Sequence, residues 1–318
     1  MLELDLLTRE DIEPNAVTVS PSQLTNHWYR CNYRWKLVYL DKLVFPRDEG
    51  PRANEGTVFH RLLKAYFQHW IDVKQPVGML PVDVLAKIQN EEMAKCKTQA
   101  ELNAFYHMMG IFNIYNVWWA QQEQANPLAA ELEVFSPTGL FTPKNEPIYM
   151  HGFIDLIAEN EYGDVGIIDH KTHEGRPWKE EEVFYDIQLM FYLCILWQQG
   201  LEPQWVAINL VNTKEYKREA NKLKLKDTDR FQRVPIPRDV LRQKGYYKEI
   251  LQHITTMYSP QQYYPRKLEK TCAYCAYRDH CSAELSGYDG TAILDRFKKL
   301  DDSVEMDFDL EMEMEEEM

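Results

Sequence analysis

Two short stretches carry the residues best suited to chemistry. Gly152-Phe153-Ile154-Asp155-Leu156-Ile157 and Gly166-Ile167-Ile168-Asp169-His170-Lys171-Thr172 read as strands, joined by a tight turn at Glu161-Tyr162-Gly163-Asp164. Each holds one aspartate among apolar neighbours, and the second adds a lysine two positions on. Residues i and i+2 of a strand share a face, so Asp169 and Lys171 project together, and strand pairing would bring Asp155 to the same point. Carboxylates buried side by side repel each other and lose hydration unless a cation neutralises them. Hard oxygen donors suit Mg2+ or Mn2+. A lysine beside such an ion can orient water and offset charge on a phosphate in the transition state. That combination is what phosphodiester hydrolysis needs. The structural alternative is that both aspartates are strand-end or turn residues, with Lys171 paired to one of them.

The surrounding elements must position these groups. A capping signal, Ser20-Pro21-Ser22-Gln23, predicts a helix from Gln23 to about Leu40. Gly56 leads into a second helix, where Phe59, Leu62, Leu63, Tyr66, Phe67 and Trp70 fall on one face at 3/4 spacing. Residues 84–125 read as mostly helical. Strands are expected at 132–135, 148–158, 165–170 and 205–211. The segment 185–199 is apolar nearly all round and reads as a buried helix. The expected fold class is therefore α/β, a mixed central sheet flanked by helices. The expected organisation is an arm over 1–17, a main domain over 18–290 with a helical insert at about 71–128, and an acidic tail over 300–318.

The cysteines suggest a second centre. Cys272-Ala273-Tyr274-Cys275 is followed by Cys281, and three close thiolates want a fourth ligand, since tetrahedral zinc and cubane clusters both use four. Cys31 is the candidate, although far away in sequence, and His280 is an alternative for zinc. Spacing alone does not separate zinc from iron–sulfur. Cys96 and Cys194 lie in apolar helical contexts and read as packing residues. Six cysteines without a visible signal peptide argue against a disulfide framework and for a reducing, cytoplasmic setting. The longest apolar run, 189–197, is too short to cross a bilayer, so no membrane association is expected.

The net charge of −14 looks wrong for a nucleic-acid binder. Ten acidic residues and no basic one fall in 300–318, however, and without them the chain carries −4. Between Thr213 and Lys248, twelve Lys or Arg stand against five Asp or Glu. Segregated charge, rather than the total, governs where a polyanion binds. Lys214, Lys217, Arg218, Lys222, Lys224, Lys226, Arg230 and Arg233, interleaved with Tyr216 and Phe231, suit a single-stranded backbone track with stacking platforms; a solvated charged face is the alternative. The tail alternates acidic and apolar groups and would occupy that track, dock a protein partner or only confer solubility. No G-x-x-x-x-G-K-[ST] occurs, so the sequence holds no helicase motor.

The motifs together resemble the PD-(D/E)xK nucleases, RecB branch. Gly-x-x-Asp-x-Ile followed by Ile-Ile-Asp-x-Lys-Thr is similar to the core of that branch. Gly56-Thr57-Val58-Phe59-His60-Arg61-Leu62-Leu63 resembles its histidine-bearing helix, and Gln188-Leu189-Met190-Phe191-Tyr192 its Q-x-x-x-Y motif. The resemblance implies that His60, Asp155, Asp169 and the His170 carbonyl hold the metal, that Lys171 is the catalytic lysine, and that Gln188 and Tyr192 position it or the substrate. Glu131 or Glu133 would be an outer carboxylate. One early cysteine with a late C-x2-C-x5-C is similar to AddB-type repair nucleases and CRISPR-adaptation exonucleases, which implies a structural [4Fe-4S] cluster on Cys31, Cys272, Cys275 and Cys281. The expected activity is a DNA exonuclease of repair, recombination or processing, acting on single-stranded or free ends, of bacterial or phage origin. A non-catalytic binding subunit and a zinc-stabilised DNA-binding regulator are the competing readings.

Overall fold

The computed structural model describes residues 6–44, 55–173, 186–214, 230–237, 240–260 and 263–300. In chain order the strands are β1 (Val17–Val19), β2 (Leu43–Val44), β3 (Asn126–Phe141), β4 (Pro147–Glu159), β5 (Val165–His173), β6 (Trp205–Asn212), β7 (Phe231–Pro237) and β8 (Lys298–Lys299). The helices are α1 (Asn32–Trp35), α2 (Glu55–Val73), α3 (Val82–Met93), α4 (Gln99–Trp118), α5 (Ile187–Gln198), α6 (Val240–Tyr258), α7 (Arg278–Leu285) and α8 (Thr291–Leu294). No described helix is long and apolar enough to cross a membrane. The chain divides into two units, one of Met1–Ile12, Pro51–Ser136 and His151–Glu249, the other of Glu13–Gly50, Pro137–Met150 and Ile250–Met318.

In the first unit, apolar periodicity assembles a helix layer on a sheet. The 3/4 stripe of α2 is buried as expected, from Val58 to Trp70. A reciprocal cap opens α4: Glu101 N–H donates to Thr98 Oγ1 at 3.2 Å, and Thr98 N–H to Glu101 Oε2 at 2.8 Å. Phe105, Met108, Phe112 and Tyr115 of α4 join the α2 stripe in one core with Leu156, Ala158, Ile168, Ala207, Val211 and Phe231 from the strands. Residues 71–128 therefore pack into the main core. Because side chains alternate along a strand, Asp155, Ile157, Ile167 and Asp169 lie on the opposite face. Residues 189–196 of α5 are all buried, as its apolar sequence requires.

Strand pairing places a fork in this sheet. β4 and β5 are antiparallel, paired from Glu159↔Val165 to Leu156↔Ile168. Their turn uses Gly163 at φ 82°, and Asn160 Oδ1 accepts from Tyr162 N and Asp164 N, both at 2.9 Å. Beyond Ile168, β5 continues beside parallel β6 as far as His173↔Asn212. Asp155 and Asp169 are thus the first residues past the end of the β4–β5 ladder. β7 is antiparallel to β6, from Val211↔Phe231 to Trp205↔Pro237. This strand was not expected, because Pro235 and Pro237 cannot donate to a ladder and its charges read as a surface run.

In the second unit, β1 runs parallel to the start of β4, from Val17↔Ile148 to Val19↔Met150, and β2 pairs with β8. The helix expected over 23–40 is broken. Ser20 Oγ does accept from Gln23 N at 3.3 Å. The turns that follow are π-type, with Tyr29 N donating to Leu24 O at 2.8 Å and Asp41 N to Lys36 O at 2.9 Å. Between them Cys31 is extended, at φ −162° and ψ 110°. Widened turns of this kind are frequent at functional positions.

Gly166, opposite Trp205, has no room for a side chain: a Cβ would meet the Trp205 ring at 2.2 Å and its backbone oxygen at 2.6 Å. The substitution Gly166→Ala is expected to cost about 1–3 kcal/mol of stability, read by urea or thermal unfolding.

Candidate active site

The fork gathers five charged or titratable side chains, His60, Glu131, Asp155, Asp169 and Lys171. His60, two turns into α2, lies with Nδ1 3.4 Å from Asp155 Oδ1 and 3.5 Å from Glu131 Oε1. One ligand atom from each of these three residues falls within a 4.8 Å sphere of separations. Ligands sharing one ion at bond lengths of about 2.1–2.3 Å stand this far apart. Asp155 is also fixed from behind, since its Oδ2 accepts from the His170 backbone N–H at 2.6 Å. That amide points to a side chain because the β4–β5 ladder has already ended.

The choice between Glu131 and Glu133 is made by backbone geometry. Glu131 has φ +47° in the middle of β3, a strained left-handed conformation for a residue with a Cβ. Its side chain lies against His60. Glu133 instead accepts from Arg9 at 3.1 Å and pairs with His151 at 3.0 Å, which holds its carboxyl below the usual range. No sequence signal separates the two glutamates, because the left-handed backbone at Glu131 is not announced by residue type.

Asp169 and Lys171 project on one face, as strand alternation requires, with Lys171 Nζ 3.0 Å from Asp169 Oδ2. Lys171 Nζ also donates to Gln188 Oε1 at 2.6 Å, and Gln188 Nε2 donates to the Tyr192 hydroxyl at 2.8 Å. Gln188 and Tyr192 stand one turn apart on α5, so the helix grips the lysine from its own face. Asp186 caps α5 by accepting from Leu189 N at 2.9 Å. The structure thus brings together Asp155, Glu131 and His60 as one group, and Asp169, Lys171, Gln188 and Tyr192 as the next.

The electrostatics show a shortage of positive charge. Burial pushes Asp169 up to about 7 despite the Lys171 ammonium, with Asp155 and Asp186 adding to the rise. Burial likewise raises Glu131. Burial opposes a charge on His60, but the Asp155 and Glu131 carboxylates outweigh it and hold the ring well above the ordinary histidine range. Asp155 suffers the same desolvation, yet His60 and the His170 amide take it down to about 2. Lys171 stays an ammonium, since Asp169, Asp186 and Asp155 overcome the burial penalty. A proton on His60 sits where a cation would satisfy all three neighbours. His60 Nδ1 and both carboxylate oxygens of Asp169 are buried without hydrogen-bond partners among the described residues, so the donor set fits a divalent ion.

Two other expectations meet the structure here. Most of the basic track, 215–229, and the tail, 301–318, lie outside the described residues. Phe231 and Arg233 are not stacking or phosphate-binding groups. Phe231 is buried against Tyr115, Trp118 and Trp119, and Arg233 forms a two-pronged ion pair with Glu123 at 2.5 and 2.6 Å. Strand alternation turns both residues inward, which a count of charges does not reveal.

In the second unit the segments around Cys31 and Cys272–Cys281 pack together: Tyr33 N donates to Pro265 O at 3.3 Å, and Lys267 Nζ to Tyr29 O at 3.3 Å. The four thiols are unbridged and half-buried. Cys275 lies in electrostatic range of Cys31 and Cys272, and Cys281 in range of Cys275 and Cys31. Burial raises Cys275 and Cys281, while Arg34 and Arg266 respectively pull them back. His280 is not a free ligand: its Nε2 meets the Tyr33 hydroxyl at 2.9 Å and its Nδ1 meets Gly290 O at 3.0 Å.

A histidine and strand carboxylates around a cation position, with a fixed ammonium alongside, define the class of metal-dependent phosphodiester hydrolases. The family model of the PD-(D/E)XK nuclease superfamily matches residues 18–282, and the chain belongs to that superfamily. The solved structure titled "Crystal structure of SSO0001" is similar over 69% of this chain and 82% of that one, with 14% identity and a TM-score of 0.29. Among curated proteins there is no match.

Adding Mn2+ to metal-free protein is expected to raise the unfolding temperature, and more so at pH 8 than at pH 6. Asp169 has its folded value raised, so its proton competes with the ion below about 7 and is gone above it. Glu131→Gln should weaken Mn2+ binding about 10- to 100-fold and Glu133→Gln should leave it unchanged, as measured by calorimetry.

Proposed function

We propose that the protein is a Mg2+- or Mn2+-dependent deoxyribonuclease that shortens DNA from free ends, single-stranded ends by preference, in repair, recombination or processing. One observation carries the reading: Lys171 is held between Asp169 and Gln188, at 3.0 and 2.6 Å, beside the His60–Glu131–Asp155 group. The exonuclease assignment and the preference for ends rest on the resemblance to the RecB branch and on the segregated charge of the sequence.

His60, Glu131, Asp155 and Asp169, with the His170 carbonyl, would hold the ion, which supplies Lewis-acid stabilisation of charge on a phosphate when bound. The chain's own groups divide the remaining work. Lys171 has three N–H donors; one is taken by Gln188, Asp169 stands in ion-pair range, and a donor is left for a phosphate oxygen or the attacking water. As an ammonium, Lys171 acts as a donor and counter-charge. Tyr192 fixes Gln188, so the ammonium is aimed before substrate arrives.

The four cysteines of the second unit are proposed to hold a structural [4Fe-4S] cluster. The grouping of their thiols supports a four-thiolate site, and the preference for iron–sulfur over zinc rests on the resemblance in the order of the cysteines. Cross-linking Cys31 to Cys272–Cys281 closes a very long loop, worth about 5 kcal/mol if disulfide entropy is borrowed.

End-labelled single- and double-stranded DNA, incubated with Mn2+, tests the activity. Shortening from the ends is expected, with Asp169→Ala and Lys171→Ala each reducing the rate by about 10²-fold or more. DNA bound but left intact by the unaltered protein would reject the assignment. Protein purified without oxygen is expected to be brown and to contain iron and sulfide, both lost with Cys31→Ala. A colourless zinc protein would reject the cluster.

A further inference from the structure

A polar row crosses the otherwise apolar face on which α2 and α4 pack. His170 of β5, Asn209 of β6 and Arg233 of β7 are direct cross-strand neighbours, in register as His170↔Asn209 and Asn209↔Arg233. The rows on either side are mostly apolar: Ile168, Ala207 and Pro235 on one, Thr172, Val211 and Phe231 on the other. Each member of the polar row is engaged. Arg233 donates through Nη1 and Nη2 to Glu123, whose side chain has no exposure, and through Nε to Asn209 Oδ1 at 2.7 Å. With its oxygen so occupied, Asn209 turns its amide to His170, and Nδ2 lies 3.2 Å from His170 Nδ1.

The donors and acceptors fix the imidazole. Asn209 Nδ2 can only donate, so His170 Nδ1 accepts and the ring proton falls to Nε2, which is buried without a hydrogen-bond partner among the described residues. Phe67 stacks on the ring with centroids 5.7 Å apart and planes 11° apart, and His60 meets it edge-on at 6.1 Å. His170 is therefore held from Asn209 and from Phe67, while its backbone N–H holds Asp155 Oδ2 at 2.6 Å. A buried polar row is costly where an apolar one would pack, which asks for a reason beyond stability.

We infer that Glu123, Arg233 and Asn209 form a relay of positioning residues that orients His170, and through it Asp155, for cation binding. The inference rests on the nuclease reading only for the presence of a cation at that group; DNA cleavage is not needed to test it.

The test is Asn209→Asp. This change keeps the size of the side chain and the contact with Arg233, but removes the donor facing His170. Ring ¹⁵N NMR of the unaltered protein is expected to show His170 protonated on Nε2, and Asn209→Asp to move the proton to Nδ1. Mn2+ affinity, measured by calorimetry, is expected to fall about 10- to 100-fold with the unfolding temperature nearly retained. Asn209→Ala, which removes both contacts, should reproduce the loss of affinity if the first variant folds poorly. An Nδ1-protonated ring in the unaltered protein, or unchanged Mn2+ affinity in both variants, overturns the relay. Failure of the unaltered protein to bind Mn2+ overturns the relay and the nuclease reading together. A protein that binds Mn2+, shows the expected tautomer shift with reduced affinity, and leaves DNA intact rejects the nuclease reading alone.

Discussion

Crowded negative charge at the β4–β5 fork governs the rest of the first unit. Asp155, Asp169 and Glu131 are all removed from water, and a carboxylate in such a place either finds a cation or takes up a proton. The protein supplies part of the compensation itself, through Lys171, His60 and the His170 amide. Burial nevertheless raises Asp169 and Glu131. The neighbouring elements serve this arrangement. The stripe of α2 delivers His60, α5 delivers Gln188 to the lysine, and the early end of the ladder releases a backbone amide for Asp155.

Much of this was legible in the sequence because it depends on local periodicity. The α2 stripe, the alternation that puts Asp169 beside Lys171, and the i, i+4 spacing of Gln188 and Tyr192 are short-range patterns. The parts not legible depend on tertiary context. The broken helix around Cys31 shows no Gly or Pro at the break, and Trp35 beside it packs against Tyr258 and Tyr264 from distant sequence. Strand β7 was hidden by two prolines that an edge strand tolerates. The choice of Glu131 over Glu133 turned on a positive φ that composition does not announce.

The second unit poses a related problem with thiols. Thiols held in half-buried surroundings are raised, as Cys275 and Cys281 are, unless cations or a metal favour the thiolate. Arg266 lies over the Tyr33 ring at 3.8 Å and pairs with Glu284, so the arginine nearest Cys281 is itself fixed. Tyr33 also touches Glu284 and His280, and the early and late segments share this one network. These contacts join residues more than 200 positions apart.

Asp169 explains why the lysine and the cation position must be considered as one device. Its Oδ2 lies in ion-pair range of Lys171, neither of its oxygens has a hydrogen-bond partner among the described residues, and the charge of Asp155 bears on it. A carboxylate engaged on only one oxygen in a dry site is costly, unless the second oxygen also meets positive charge. With a cation bound nearby, Asp169 would meet the positive charge that Lys171 alone does not supply. A structural salt bridge does not ask for this, because Asp169 could turn both oxygens to the lysine or the strand could carry an apolar pair. The geometry makes sense when a negatively charged group must be received between the two positive ones, and a phosphodiester is such a group.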